Sequence, residues 1–388
     1  MKPAPFGPAL GLTEDNAQIL WSPAASDAPA APAAFSPARR ELTALHPTYI
    51  RLLVNWAALQ PDESRPPALE GNVTGCVRDL GPCASYRGIA GELAAISSQQ
   101  RSDPGGYQVV LDILGTPAWA AAPPHGCERK ADEPFARPLR PGALTAYRGL
   151  IKELLALGRR EHVALRWWSP WNEPNDPRFI TPQRAACTSD GAALSPGVYA
   201  ELSRAMASEL AVAGPGHELL LGELGGYSDG SPHRTSIGQF VAALPQDVIC
   251  LSHTWAVHAY AVQGRAEPPD PVALLEQALA ARGRCGASAS IWVTEAGTGA
   301  AEPGRPRAGT ASEEQAGCEA LAAQVLGWYS DPRVLAIFQF SFRDDPAFPV
   351  GLISSDLTHA YRAYGMWLAL ERARGSGATP PKPAQACA

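Results

Sequence analysis

Short apolar runs alternate with longer segments of helical spacing from one end of this chain to the other. The strand-like runs fall at 6–12, 48–56, 107–114, 167–175, 218–223, 253–260, 289–295 and 334–341. Helical spacing recurs near 37–45, 89–96, 143–159, 197–213, 236–244, 271–282, 312–329 and 358–372. Runs that are apolar on both faces read as parallel strands buried between other layers. Alternation predicts a parallel sheet with helical cover, and eight repeats with no leftover sheet edge predict closure into a (β/α)8 TIM barrel. An open doubly wound sheet would show a glycine-rich phosphate turn after its first strand, and here Thr13-Glu14-Asp15-Asn16 follows instead. The expected organisation is one α/β barrel domain over 1–374, with no accessory β-sandwich, and a flexible tail over 375–388 opening Gly375-Ser376-Gly377.

Composition narrows the partners. Hydrophobic residues are 46% and charged residues 18% of the 388, enough to bury a large core. A net charge of −6, with no clustering of Lys and Arg, argues against nucleic acid. No uninterrupted apolar stretch approaches the roughly 18 residues of a membrane span, so no membrane partner is expected. Oligomeric state leaves no trace. The N-terminal Met1-Lys2-Pro3-Ala4-Pro5 lacks the apolar run of a signal peptide, which fits a cytoplasmic chain or one whose leader has been removed.

Cysteine usage favours the second. The eight cysteines include no Cys-x-x-Cys pair and no zinc-like spacing with histidine, so they read as disulfides in a secreted or periplasmic protein. Scattered thiols in a cytoplasmic enzyme are the alternative. Placed on the barrel map, Cys76 and Cys83 share one loop and Cys127 and Cys187 occupy neighbouring loops. Cys250 and Cys285 precede strands six and seven, and Cys318 is left to tether Cys387.

In such barrels the carboxyl ends of the strands form the active face. Two carboxylates fall there: Glu173 closes Trp167-Trp168-Ser169-Pro170-Trp171-Asn172, and Glu295 closes Ser290-Ile291-Trp292-Val293-Thr294. A single glutamate at a loop is usually just solvated. Two that face each other across a pocket are what glycosidic bond cleavage needs, one to protonate the leaving oxygen and one to attack or to activate water. Glu223 also ends a strand, where a solvated loop position is at least as good a reading as a role in binding. Asp112, inside strand three, needs a partner if buried.

Trp171-Asn172-Glu173-Pro174-Asn175 resembles the Asn-Glu-Pro signature of the clan A retaining glycoside hydrolases. Supporting matches are Arg51 at strand two, Gly115-Thr116-Pro117-Ala118-Trp119 at strand three, His258-Ala259-Tyr260 at strand six and Thr294-Glu295 at strand seven. The strand-three turn together with the Trp-Asn-Glu-Pro-Asn run is most similar to family 39, the β-xylosidases, α-iduronidases and relatives. The resemblance implies a cofactor-independent glycosidase with Glu173 as general acid/base and Glu295 as nucleophile. It implies that Asn172 binds the hydroxyl beside the reacting carbon and that Arg51 and Tyr260 hold Glu295 ionised. An oligosaccharide, polysaccharide or simpler glycoside would be the substrate.

Aromatic rings commonly carry sugars, so Trp56, Trp119, Trp171 and Trp292 are candidate platforms, with His258 a further substrate contact. Trp167 and Trp168 read as core. Strand eight departs from the clan's usual tryptophan with Phe338-Gln339-Phe340-Ser341-Phe342-Arg343, which leaves Gln339 or Arg343 as substitutes. A non-catalytic carbohydrate-binding barrel is the alternative function, favoured if the loops at 60–84 and 120–141 close the cleft. A metal-dependent hydrolase ranks behind both, since no His-x-His stands at a strand end, and no metal ligands are assigned.

Overall fold

The computed structural model describes residues 7–261, 269–299, 307 and 309–388. Nine parallel strands run in chain order: β1 (Ala9–Thr13), β2 (Tyr49–Asn55), β3 (Gln108–Leu114), β4 (Trp167–Ser169), β5 (Glu218–Leu219), β6 (Leu221–Leu224), β7 (Thr254–His258), β8 (Ser290–Ala296) and β9 (Val334–Phe340). Their order across the sheet is β5-β4-β3-β2-β1-β9-β8-β7-β6. The two edges belong to one stretch of chain. β5 pairs with β4 and β6 with β7, and Leu220 between them donates its N–H to the Trp168 carbonyl at 2.9 Å. The fifth of eight staves therefore closes the barrel, as the alternation predicts.

Both faces of these strands are buried, and the two faces differ in chemistry. Ile50, Leu52 and Val54 of β2, Val109, Leu111 and Ile113 of β3, and Trp255 and Val257 of β7 lie in the large cluster shared with the surrounding helices. Helix Leu144–Arg160 meets that cluster with Leu150, Ile151, Leu154 and Leu155 buried on one stripe. The alternate residues point to the barrel axis, because successive side chains on a strand take opposite faces. At the amino end of the axis, Val110, Trp167, Leu220, Ala256, Trp292, Ala336 and Phe338 form a separate apolar plug with Tyr49 against it.

Loops and tail are pinned. The disulfides are Cys76–Cys83, Cys127–Cys187, Cys250–Cys285 and Cys318–Cys387, the pairing that the barrel map implies. The stretch expected to be a loose tail differs from expectation. Helix Arg362–Ser376 runs into it, a short helix Pro383–Ala386 follows, and Ala386 and Cys387 are buried. The disulfide to Cys318 and the Arg362 guanidinium on the Cys387 carbonyl, 2.9 Å, hold it. Among the described residues no helix is long and apolar enough to cross a membrane.

Candidate active site

Moving two residues along each strand from the apolar plug reaches a polar layer. Tyr49 gives way to Arg51, Val110 to Asp112, Trp167 to Ser169, Ala256 to His258 and Trp292 to Thr294, all buried. Three carboxylates join this layer through broken regularity. Glu295 follows Thr294 directly, so strict alternation would turn it outward, but β8 shifts register against β9 between Val293 and Ala296. Glu223 has φ +50° in an irregular stretch of β6. Gly222 before it, at φ +99°, approaches so closely that a Cβ would stand 2.4 Å from the Ala256 carbonyl oxygen. Glu173 has φ +35° in the turn after β4. Left-handed backbone at two non-glycine residues costs energy and recurs where function fixes a side chain.

Arg51 is the hub. Fully buried, it donates from Nη1 to Glu295 Oε1 at 2.8 Å and from Nη2 to Asp112 Oδ2 at 2.7 Å, Asn172 Oδ1 at 3.0 Å and Glu223 Oε2 at 3.1 Å. The Tyr260 hydroxyl donates to Glu295 Oε2, so both oxygens of Glu295 face donors. His258 sits between three carboxylates: Nε2 lies 2.8 Å from Glu223 Oε2, and Nδ1 lies 2.9 Å from Glu173 Oε1 and 3.4 Å from Glu295 Oε2. Glu223 also accepts from Ser169 Oγ at 2.8 Å and Thr294 Oγ1 at 2.7 Å.

The electrostatics follow from this packing. Burial alone would raise the Glu223 carboxyl, but Arg51 and His258 outweigh it and hold it down at about 2. Burial would lower His258, yet Glu295, Glu173 and Glu223 raise it to about 10. Asp112 goes the other way. Burial pushes its carboxyl well above the ordinary range, only partly offset by Arg51.

The residues singled out in the sequence separate into two groups. Arg51, Asn172, Glu173, His258, Tyr260 and Glu295 converge on this one cluster. Four others have no face to offer a sugar. Trp56 is buried with Nε1 donating to Gln60, Trp171 is buried with Nε1 on the Phe179 carbonyl, and Trp292 belongs to the apolar plug. Gln339 is buried with its amide on the carbonyls of Phe340 and Val350 and its oxygen taken by Trp367. Trp119 is partly buried, edge-on to Trp56. Arg343, the other strand-eight candidate, is spent on the Ser355 and Gly75 carbonyls.

Sequence reasoning undervalued three features. Glu223 is fully buried at the centre rather than solvated; the signal was its enclosure between Leu221 and Leu224. Arg178, about half exposed at 47%, donates to Glu173 Oε2 at 2.8 Å and brackets Asp176. At the end of β9 and beyond it the half-buried rings of Phe340 and Phe348 stand edge-on to Tyr260 and tilted to each other, in the region where the sequence lacks a tryptophan.

Glu173, His258 and Glu295 each present a ligand atom within 4.8 Å of the others, close enough to grip a cation. Arg51 and Tyr260 already donate to the two oxygens of Glu295, and Arg178 and His258 face the two oxygens of Glu173. The donor set is therefore built around fixed protein cations and a hydroxyl.

No protein-family model and no curated protein matches the chain. Solved structures do match in fold. The SrfJ protein of Salmonella typhimurium superposes with TM-score 0.61 at 11% identity, over 96% of this chain and 75% of that one. A glucosidase from Croceicoccus marinus gives 0.58 at 14%, over 96% and 69%. A family 5 glycoside hydrolase from Streptomyces cattleya, solved with Manβ1-4GlcNAc, gives 0.55 at 15%, over 97% and 83%. These likenesses establish the (β/α)8 barrel that such glycoside hydrolases share.

Proposed function

We propose that this chain is a retaining glycoside hydrolase that cleaves O-glycosidic bonds by double displacement, with Glu173 as general acid/base and Glu295 as nucleophile. The observation that carries the reading is the approach of the two glutamates, which bring a carboxylate oxygen each within 4.8 Å of one another. Retaining enzymes hold their carboxyl groups about 5–5.5 Å apart, whereas inverting ones leave roughly 6.5–9.5 Å for a water. The roles follow from the partners. Glu295 has Arg51 on one oxygen and Tyr260 on the other, which orients it to attack the anomeric carbon. Glu173 stands opposite, beside His258 and toward the more open side marked by Arg178.

In the first step the Glu295 oxygen bonds to the anomeric carbon as Glu173 gives its proton to the departing oxygen. In the second, Glu173 takes a proton from water as that water displaces Glu295. Asn172, its side-chain oxygen held by Arg51, would bind the sugar hydroxyl beside the reacting carbon. The Phe340 and Phe348 rings take the place of the missing tryptophan wall. Four disulfides support a secreted or periplasmic working place, since such bonds persist in oxidising compartments.

A panel of p-nitrophenyl glycosides of glucose, mannose, xylose, galactose and glucuronic acid tests this. At least one should release nitrophenol, and Glu295→Gln should abolish that release. Unchanged oligosaccharide binding with no turnover on any sugar would point instead to a carbohydrate-binding barrel.

A further inference from the structure

Glu223 is the one carboxylate of the polar layer that cannot reach a substrate and yet has four donors arranged around it. It is fully buried, and Ser169, Thr294, Arg51 and His258 occupy both its oxygens. It must therefore act through one of those partners. Arg51 has other anions in Asp112 and Glu295, whereas among the described residues the Nε2 face of His258 is met by Glu223 alone.

We propose that Glu223 is a positioning residue that keeps the Nε2 proton of His258 in place throughout the reaction, so that His258 Nδ1 and Glu173 share the one proton the acid step consumes. The inference rests on the glycosidase reading for its second half only. A carboxylate held by four donors is a permanent acceptor, which fixes a hydrogen on Nε2. That leaves Nδ1 facing Glu173 Oε1 at 2.9 Å, and two groups with lone pairs at that distance need a proton between them. Glu295, 3.4 Å from the same nitrogen, adds a second anion that favours keeping it.

Glu173 from the turn after β4, Glu223 from β6 and Glu295 from β8 contact the imidazole; behind them stand Arg51 from β2, Asp112 from β3 and Thr294 from β8, and the Tyr260 hydroxyl donates to the same Glu295 oxygen that faces Nδ1. The rise of His258 to about 10 agrees with an imidazole that keeps its proton through neutral pH. The count balances. The shared proton leaves to the glycosidic oxygen as that bond to carbon breaks and the Glu295 bond forms. Water returns one to Glu173 as the Glu295 bond breaks, and the pair is reloaded without outside acid.

Two measurements decide it. In wild-type protein labelled with ¹⁵N-histidine, the His258 signals are assigned by their loss in His258→Gln. They should show Nε2 protonated from about pH 5 to about pH 8, and a bare Nε2 anywhere in that window overturns the proposal. This readout needs no turnover and no variant of Glu223, so it stands even if the chain cleaves none of the glycosides tested. With the sugar found active, Glu223→Gln should lower kcat/KM for the 4-methoxyphenyl glycoside by about 10²-fold. The loss on the 2,4-dinitrophenyl glycoside, whose leaving group needs little protonation, should be about tenfold or more smaller. The alkaline limb on the poorer substrate should move to lower pH, because an anion that held the proton is gone. Equal losses on both substrates with an unmoved limb would mean that Glu223 only supports the fold.

Discussion

The same strands build two layers across the barrel axis, one residue pair apart, and the layers could hardly differ more. At the amino end β2, β3, β4, β7 and β8 supply Tyr49, Val110, Trp167, Ala256 and Trp292; two residues on they supply Arg51, Asp112, Ser169, His258 and Thr294. The first layer is held by shape and tolerates polar mismatch: Trp167 and Trp292 leave their ring N–H groups without partners. The second is held by charge, with Arg51 and His258 set against Asp112, Glu173, Glu223 and Glu295. Buried ion clusters seldom stabilise more than an apolar core of the same volume would. An enclosed layer of charges above an apolar plug is thus better explained by chemistry than by stability.

If that division is right, substitutions in the two layers should separate activity from stability. The largest effect belongs to Glu295→Gln, expected to lower kcat by roughly 10⁵–10⁶-fold, as loss of an attacking residue does, in stopped assays on the best nitrophenyl glycoside. Glu173→Gln should follow at about 10²–10⁴-fold, falling hardest on poor leaving groups. Below these comes Trp292→Ala in the plug. It should cost about 3–5 kcal/mol in urea unfolding while the pH profile of whatever activity remains keeps its shape. A shifted profile would break the comparison by showing that the plug tunes the charges above it.

The pH dependence of stability sharpens it further. Glu223 is held near 2 in the fold against an ordinary 4.5, so its contribution is present above about pH 4.5 and disappears as pH falls toward 2. The stability gap between wild type and Glu223→Gln in urea titrations should therefore narrow over that window. The smallest effect should be Trp167→Phe, under about 1.5 kcal/mol for a swap that keeps most of the volume, since the indole N–H has no hydrogen bond to lose.

Periodicity explains what could be read from sequence. Each of the eight staves matches an apolar run, none overshooting it by more than one residue, and the partners Glu173 and Glu295 stand at the ends of two of those runs. What escaped was whatever breaks periodicity or depends on direction. Trp292 lies three residues before Glu295 and seemed to share its cleft, but it points into the plug, and only the register shift in β8 brings Glu295 to the axis. Glu223 looked like a loop residue because its run is short and crosses Gly222; the left-handed backbone that turns it inward leaves no compositional mark. Gln339 reads from sequence as a sugar contact, but the carbonyls that capture it come from Phe340 and from Val350 in a loop whose path no local pattern reveals. The cysteines succeeded because their pairing needs only the order of loops around the barrel, which the alternation supplies.

The stereochemistry of the first product tests the pairing of Glu173 with Glu295 most directly. Proton NMR should follow the anomeric signal during early hydrolysis of the best aryl glycoside, before mutarotation mixes the forms. Double displacement through Glu295 gives a product with the anomeric configuration of the substrate. A product formed first with the opposite configuration would mean that water attacks directly, and Glu295 would then be its base rather than the nucleophile.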